Sequence, residues 1–318
     1  MSGPPAAGQR IAWEALPPHV RGAVEGWLGS PVRTASTQTG GFSPGLAARL
    51  LTKDGRRVFV KAVCAVPNPD APRFHRRELQ IAEALPASAP APRLLWSYDE
   101  GGDGWVVLVF EDVDGKQPAV PWKLAELDRV LLAMEALAES LTPSPVPEAV
   151  ADSVVTWLRR NGSGWQRLVR EPLPGLDGWS TRNLAALADL EAEAPAAAAG
   201  DTLLHFDTRA DNILLTPDRI YVVDWPHARL GQAWIDLVAF APSVAMQGGP
   251  EPAELLRRYA PAAGADPAAI SAVIAAVAGF FTYQSLLQPP PGLPTIRAFQ
   301  AAQGDVARRW LAQRTGWR

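Results

Sequence analysis

The chain has 318 residues and a formal net charge of −3, with 47% hydrophobic and 20% charged residues. That is long enough for two lobes with cores of their own and ordinary for a soluble globular protein. The slight acidity argues against a nucleic-acid binder working through a basic surface. Cys64 is the only cysteine, which excludes an intrachain disulfide and a thiolate metal cluster and fits a cytoplasmic setting. Met1 to Arg10 lacks the basic segment and apolar core of a secretory signal.

In chain order, Pro17 and Pro18 introduce a short helical pattern over 19–28 that Gly29 stops. Strand-like runs follow at 33–39, 46–52 and 57–63, the last two joined through the hairpin signal Asp54-Gly55. A proline-rich turn leads to a helix over 73–85, and two further strands fit 94–98 and 105–110. Beyond a polar turn at 113–118 the pattern is largely helical, with apolar spacing over 124–141, 150–158 and 184–190. Short strand-like runs return at 202–205, 213–215 and 220–223. A β-rich third followed by a helical remainder predicts two lobes, residues 1–112 and 113–318, with a hinge near 110–114. Residues 270–287 are apolar enough to resemble a membrane span. Ser271, Thr282, Tyr283, Gln284 and Ser285 within them make a buried helix the better reading, and no membrane association is expected.

The chemistry concentrates in His205-Phe206-Asp207-Thr208-Arg209-Ala210-Asp211-Asn212 and in Asp224, which ends the apolar run at 220–223. Phosphoryl transfer needs a carboxylate to orient or deprotonate the attacking hydroxyl, and oxygen ligands to hold magnesium against the phosphates. Asp207 suits the first role, and Asn212 and Asp224 the second, with a hairpin returning Asp224 beside Asn212. Each residue taken singly reads as a turn former; the ordered set reads as a site. The four histidines, at 19, 75, 205 and 227, show no zinc spacing.

His205, Asp207 and Asn212 match the His-x-Asp-x-x-x-x-Asn catalytic loop of the protein-kinase-like fold. With Asp224 in Val-Val-Asp-Trp and Asp236 soon after, the chain resembles the aminoglycoside phosphotransferase family over about residues 35–240. Two departures stand out: Phe206 where that family usually carries glycine, and Trp225 after Asp224. The resemblance implies a bilobal α+β fold with a small β-rich N-lobe and a larger helical C-lobe. It also implies Mg2+ and ATP or GTP as phosphoryl donor, and His205 and Asp236 as braces of the loop. Arg209 is expected near the transferred phosphate.

Lys61 lies in the apolar run Val58-Phe59-Val60-Lys61-Ala62-Val63. It reads either as an edge lysine or as the ligand of the α- and β-phosphates. The second reading needs a carboxylate from the following helix. Glu78 shares the stripe of Phe74, Ile81 and Leu85, whereas Glu83 lies off it, and a carboxylate facing the core needs a cation. Gly40, Gly41 and Ser43 belong to a glycine-rich loop that would cover the phosphates. Backbone groups of Phe110, Glu111 and Val113 are expected to hold the base.

The eleven residues between Asp224 and Asp236 are too few, by comparison with protein kinases, for a peptide-presenting segment. A protein kinase is therefore a lesser reading, and a non-catalytic nucleotide-binding module is another, because every expected polar group is present. The partner expected is a small hydroxyl-bearing molecule: an antibiotic, a sugar or another natural product. Residues 119–204 are only modestly acidic for a polycationic substrate. The aromatics Trp122, Trp157, Trp165, Trp179, Trp234, Phe280, Phe281 and Tyr283 read mostly as core, with some available to stack on an acceptor.

Overall fold

The structure is a computed structural model and describes residues 10–38, 40, 45–290 and 293–318. Helix α1 (Pro18–Leu28) starts on its own proline and ends at Gly29, whose φ of 71° is the left-handed turn that glycine takes without steric cost. Strands β1 (Val32–Thr37), β2 (Leu46–Thr52) and β3 (Arg57–Val63) follow, then helix α2 (Ala71–Ala84), β4 (Leu94–Asp99) and β5 (Val106–Glu111). They form one antiparallel sheet in the order β1-β2-β3-β5-β4.

The period-two alternation of the strands decides what each face of this sheet does. Val58, Val60, Ala62, Val107 and Val109 pack on Trp13, Leu16 and the α1 stripe of Val20, Val24 and Leu28. Val63, Val106, Leu108, Phe110 and the ring of Phe59 pack on the opposite side, against Ala71, Leu79 and Ala82 of α2. Lys61 falls in this second set by register. Because β3 lies between β2 and β5, Lys61 is not an edge residue.

The C-terminal part is mainly helical: α3 (Leu124–Ser140), α4 (Val154–Asn161), α5 (Gly164–Arg170), α6 (Gly178–Ala192) and α7 (Ala194–Ala197). Four short strands come next: β6 (Thr202–Leu204), β7 (Ile213–Leu215), β8 (Ile220–Val222) and β9 (Arg229–Gly231). Helices α8 (Ile235–Met246), α9 (Pro252–Arg258), α10 (Pro267–Ser285) and α11 (Ile296–Thr315) complete it. The helix expected from 150 begins instead at Val154, because the Ser153 side chain accepts the Thr156 amide and caps it there. Strands β6 and β9 pair with each other, as do β7 and β8, both antiparallel.

Helix α10 is long and apolar enough to cross a membrane by length and composition. Here it packs on α11, α5, α6, α7 and α8, and Ile270, Val273 and Ile274 are buried in the large C-terminal core. A helix apolar all round is what the centre of a lobe requires.

Candidate active site

The β7–β8 hairpin positions the polar set. Asn212 enters β7 from a single turn of 3-10 helix, Ala210–Asn212. Asp224 lies just beyond β8, and the Val223 amide donates to the Asn212 carbonyl at 2.9 Å. The segment after β5 is tied to the same hairpin by a reciprocal pair of backbone bonds between Lys116 and Leu215.

Lys61 Nζ donates to Glu78 Oε1 at 2.6 Å and to Asp224 Oδ1 at 2.7 Å. The lysine therefore joins the sheet, α2 and the hairpin. Glu78 is buried, whereas Glu83 is exposed. Burial works against all three charges, but each carboxylate supports the ammonium, and Lys61 ends with its pKa raised. For Asp224 burial is the largest influence and acts upward. Lys61's charge and hydrogen bond outweigh it and hold Asp224 well below the usual carboxylate range. Glu78 is pushed up, by burial first and then by the like charge of Asp224. Two acids that share one cation titrate apart.

Asp207 accepts from Arg209 Nη1, and Asn212 Nδ2 donates to the Asp207 carbonyl at 2.8 Å and to its Oδ2 at 3.2 Å. Arg209 also donates through Nε and Nη2 to both oxygens of Asp211, each at 3.0 Å. Burial raises the Asp207 pKa, with Arg209 opposing; the result is a more basic carboxylate held in place by its neighbours. The His205 and Phe206 amides donate to the two oxygens of Asp236 at 2.9 and 2.7 Å. Burial pushes Asp236 to about 6. His205 is buried and depressed to about 4 by desolvation. Its Nε2–H donates to the Val223 carbonyl at 3.0 Å, and its ring meets Trp225 edge-on at 4.9 Å. A neutral imidazole in these contacts fixes the chain on either side of the loop.

Phe206 has φ 61° and Asp224 has φ 71°; among the described residues these are the non-glycine positions with positive φ. Phe206 occupies the left-handed region that glycine enters freely, where a side chain costs on the order of 1–2 kcal/mol. The ring is held edge-on against Trp157 at 5.0 Å. Gly45, at the end of the glycine-rich loop, has φ 98°, and a Cβ there would lie 2.4 Å from the Ala62 carbonyl. Gly40 lines the adjacent cavity; Gly41 and Ser43 lie outside the described residues.

Two cavities, each of about 390 Å³, meet at Asp224. The first lies between the sheet and the hairpin and carries Lys61, Glu78, Asp211 and Asn212. Its apolar walls include Leu46 and Leu214, and Phe110, Glu111 and Val113 edge it. The second carries Asp207 and Arg209 and is walled by Trp157, Phe206, Phe280 and Phe299. Asp207 and Asn212 thus serve opposite sides of one loop. Of the aromatics marked in the sequence, Trp157, Phe280 and Phe281 line this cavity, whereas Trp122, Trp165 and Trp234 are buried in the core.

No pattern in the chain places Phe74, His227, Phe299 or Gln303 in the second cavity, or Arg10 and Arg49 in the first. Arg49 donates to the Val113 carbonyl at 2.9 Å and pairs with Asp112 at 3.3 Å. A charged residue on β2, a strand flanking the cleft, was the one signal available for it.

The donor set fits a magnesium ion carried in with phosphates. Magnesium takes one or two protein oxygens and fills the rest of its octahedron with phosphate and water. Asp224 supplies an ionised carboxylate. Asn212 spends its amide nitrogen on Asp207, so its oxygen is the atom left for a cation. No group of three or more His, Cys, Asp or Glu side chains placed to hold a metal ion occurs among the described residues.

The sequence profile of the phosphotransferase enzyme family (APH) matches residues 40–273, and the chain belongs to that family. The fold is that of the protein-kinase-like small-molecule phosphotransferases. Choline kinase LicA from Streptococcus pneumoniae superimposes with a TM-score of 0.62 at 14% identity, over 93% of this chain and 98% of its own. A thermostable mutant of aminoglycoside phosphotransferase APH(4)-Ia, in complex with ADP and hygromycin B, gives 0.59 at 16% identity, over 91% and 98%. Spectinomycin phosphotransferase APH(9)-Ia, in complex with ADP and spectinomycin, gives 0.58 at 13% identity, over 94% and 98%. A comparison with curated protein sequences finds no match.

Proposed function

We propose that this protein transfers the γ-phosphoryl group of a nucleoside triphosphate to the hydroxyl of a small molecule, in the cytoplasm. Residues 1–112 would bind the nucleotide, and 113–318 would supply the catalytic loop and the acceptor pocket. The observation that carries the reading is the meeting of two cavities at Asp224, with Lys61 and Asn212 on one side and Asp207 on the other. ATP and GTP are equally compatible with a base held by backbone groups of the segment from Phe110 to Val113.

Lys61, braced by Glu78, holds the phosphates that enter between it and Asp224. The glycine-rich loop that holds Gly40 would cover them. Asn212 and Asp224 would hold magnesium, which when bound would neutralise charge on the phosphates. Asp207 accepts a hydrogen bond from the acceptor hydroxyl and aligns its oxygen on the γ-phosphorus. The new O–P bond forms as the bond to the β–γ bridging oxygen breaks. The diphosphate departs with that electron pair, and the hydroxyl proton passes to Asp207. Arg209 keeps the Asp207 carboxylate oriented and places positive charge beside the transferring group. Antibiotic inactivation is one role such a transfer would serve; sugar or natural-product metabolism is another.

The test is Asp224→Ala. Phosphoryl transfer should be abolished, and magnesium-dependent nucleotide binding, measured by titration calorimetry with and without the ion, should weaken. An unchanged magnesium dependence in that variant would refute the assignment.

A further inference from the structure

The phosphotransferase reading leaves the acceptor open, and the second cavity narrows it. We infer that the acceptor is a neutral, largely apolar alcohol, which offers its hydroxyl to Asp207 and its body to the aromatic wall of Trp157, Phe206 and Phe280. This rests on the proposed function and would fail separately from it.

The first argument is charge. The charged side chains lining the cavity are Asp207, Arg209 and Asp224, all of which belong to the transfer machinery. A polycation needs further carboxylates to replace its hydration. The described lining offers instead the uncharged polar groups of Gln300, Gln303 and His227. His227 is held neutral, burial pushing its pKa down to about 4.

The second argument concerns a single positive charge, which aromatic faces can hold. Trp157 meets Phe206 at 5.0 Å and 79°, and Phe280 at 5.0 Å and 58°. The rings contact one another and form a continuous wall. The face of Phe206 already has a cation: the Arg229 guanidinium lies 5.8 Å from its centroid. Arg229 is only 7% exposed. It shares Asp152 with Arg77, at 3.1 and 3.7 Å, so two guanidiniums behind the wall face one carboxylate. Asp152 is half-exposed, but Arg229 itself is buried against Phe206, and its charge there disfavours a second cation on that ring.

The third argument is placement. Phe280 lies on α10 and Phe299 on α11, beyond residue 273, where the family match ends. Phe280 and Phe299 thus add to the acceptor wall from beyond the family match, whereas Trp157 and Phe206 lie within it.

The experiment is a turnover assay of the full chain with magnesium and ATP or GTP, read as mass gain of one phosphoryl group. Phenylethanol, borneol and a neutral macrolactone are set against hygromycin B, spectinomycin and choline. Turnover confined to neutral alcohols is expected. Trp157→Ala and Phe280→Ala should each raise the KM of the best alcohol roughly 10- to 100-fold, with nucleotide affinity unchanged. Phe280→Leu should restore part of the loss, which a folding defect would not do. Preference for any of the cations overturns the inference, as does bound, slowly hydrolysed nucleotide with no neutral alcohol phosphorylated. Failure to bind nucleotide at all would bring down the phosphotransferase reading instead.

Discussion

The two cavities that meet at Asp224 have the same volume, about 390 Å³, and differ in charge. The first is a chain of charges: Glu78, Lys61 and Asp224 joined at 2.6 and 2.7 Å. The second is a wall of rings, with charge only where the transfer takes place. The difference teaches where each kind of information resides. Charges that must act on phosphates have to be paired and held by specific hydrogen bonds, so their positions are set by short stretches of chain. An apolar wall needs only shape and volume, and α2, α4, α10 and α11 can each contribute to it from afar.

The sharpest way to break this comparison is at Asp207, which belongs to the second cavity by position and to the machinery by chemistry. Asp207→Asn keeps the shape and removes the base, so kcat should fall roughly 10²- to 10⁴-fold with nucleotide affinity little changed. Asp211→Asn should be far milder, because Asp211 acts by gripping Arg209 through two 3.0 Å bonds and one oxygen acceptor remains. Single-turnover transfer at saturating nucleotide distinguishes them. Near-wild-type rates in Asp207→Asn with loss in Asp211→Asn would mean the base is misassigned.

What was legible in the sequence follows the same division. Asp207, Asn212 and Asp224 stood out because eighteen residues hold all three, and a hairpin of that length has few ways to close. Lys61 stood out because a lysine in an apolar run needs a reason, and the α2 stripe then singled out Glu78 over Glu83. Phe206 was visible only as a departure; that its φ is 61° and its ring faces the second cavity needed coordinates. Trp157 and Phe280 were noted, but a ring lining a cavity and a ring filling a core have the same helical spacing. Helix α1 was legible as a helix, whereas its packing over the far face of the sheet was not, since amphipathicity does not name the partner surface. The start of α4 was misplaced because one serine cap outweighed the apolar pattern before it.

On the nucleotide side, Lys61→Ala should weaken triphosphate binding by roughly 10- to 100-fold, the worth of hydrogen bonds to a charged group. Glu78→Ala should give a smaller loss, because the ammonium that meets the phosphates remains and only its 2.6 Å brace is removed. Acceptor KM in both variants should stay near wild type. Calorimetric nucleotide titration and acceptor kinetics on the same preparations check this. An equal rise in acceptor KM would show that the two cavities are not separable.

The smallest effect on turnover is expected behind the acceptor wall, at Glu191. Like Glu78 it is a buried glutamate, but it has backbone amides where Glu78 has a lysine. The Trp165 and Gln166 amides donate to it at 3.2 and 3.0 Å, at the start of α5 and against Gly279, the neighbour of Phe280 on α10. Burial outweighs these bonds and lifts its pKa from 4.5 to about 7. The sign follows from proton counting. Between those two values the folded chain keeps a proton that the unfolded chain has released, so stability falls as pH rises. The loss is complete above pH 7 and amounts to about 3 kcal/mol at most. Glu191→Gln is neutral throughout and removes this slope, whatever constant offset the amide introduces. The difference in unfolding free energy between variant and wild type, from urea melts at pH 5 to 8, should therefore move steadily in the variant's favour as pH rises. Phosphoryl transfer at pH 7 should change little, since Glu191 supports the wall and touches neither cavity. A difference that stays flat with pH would show that the carboxylate is ionised at both ends of the range, and that the amides at the α5 terminus suffice to hold its charge.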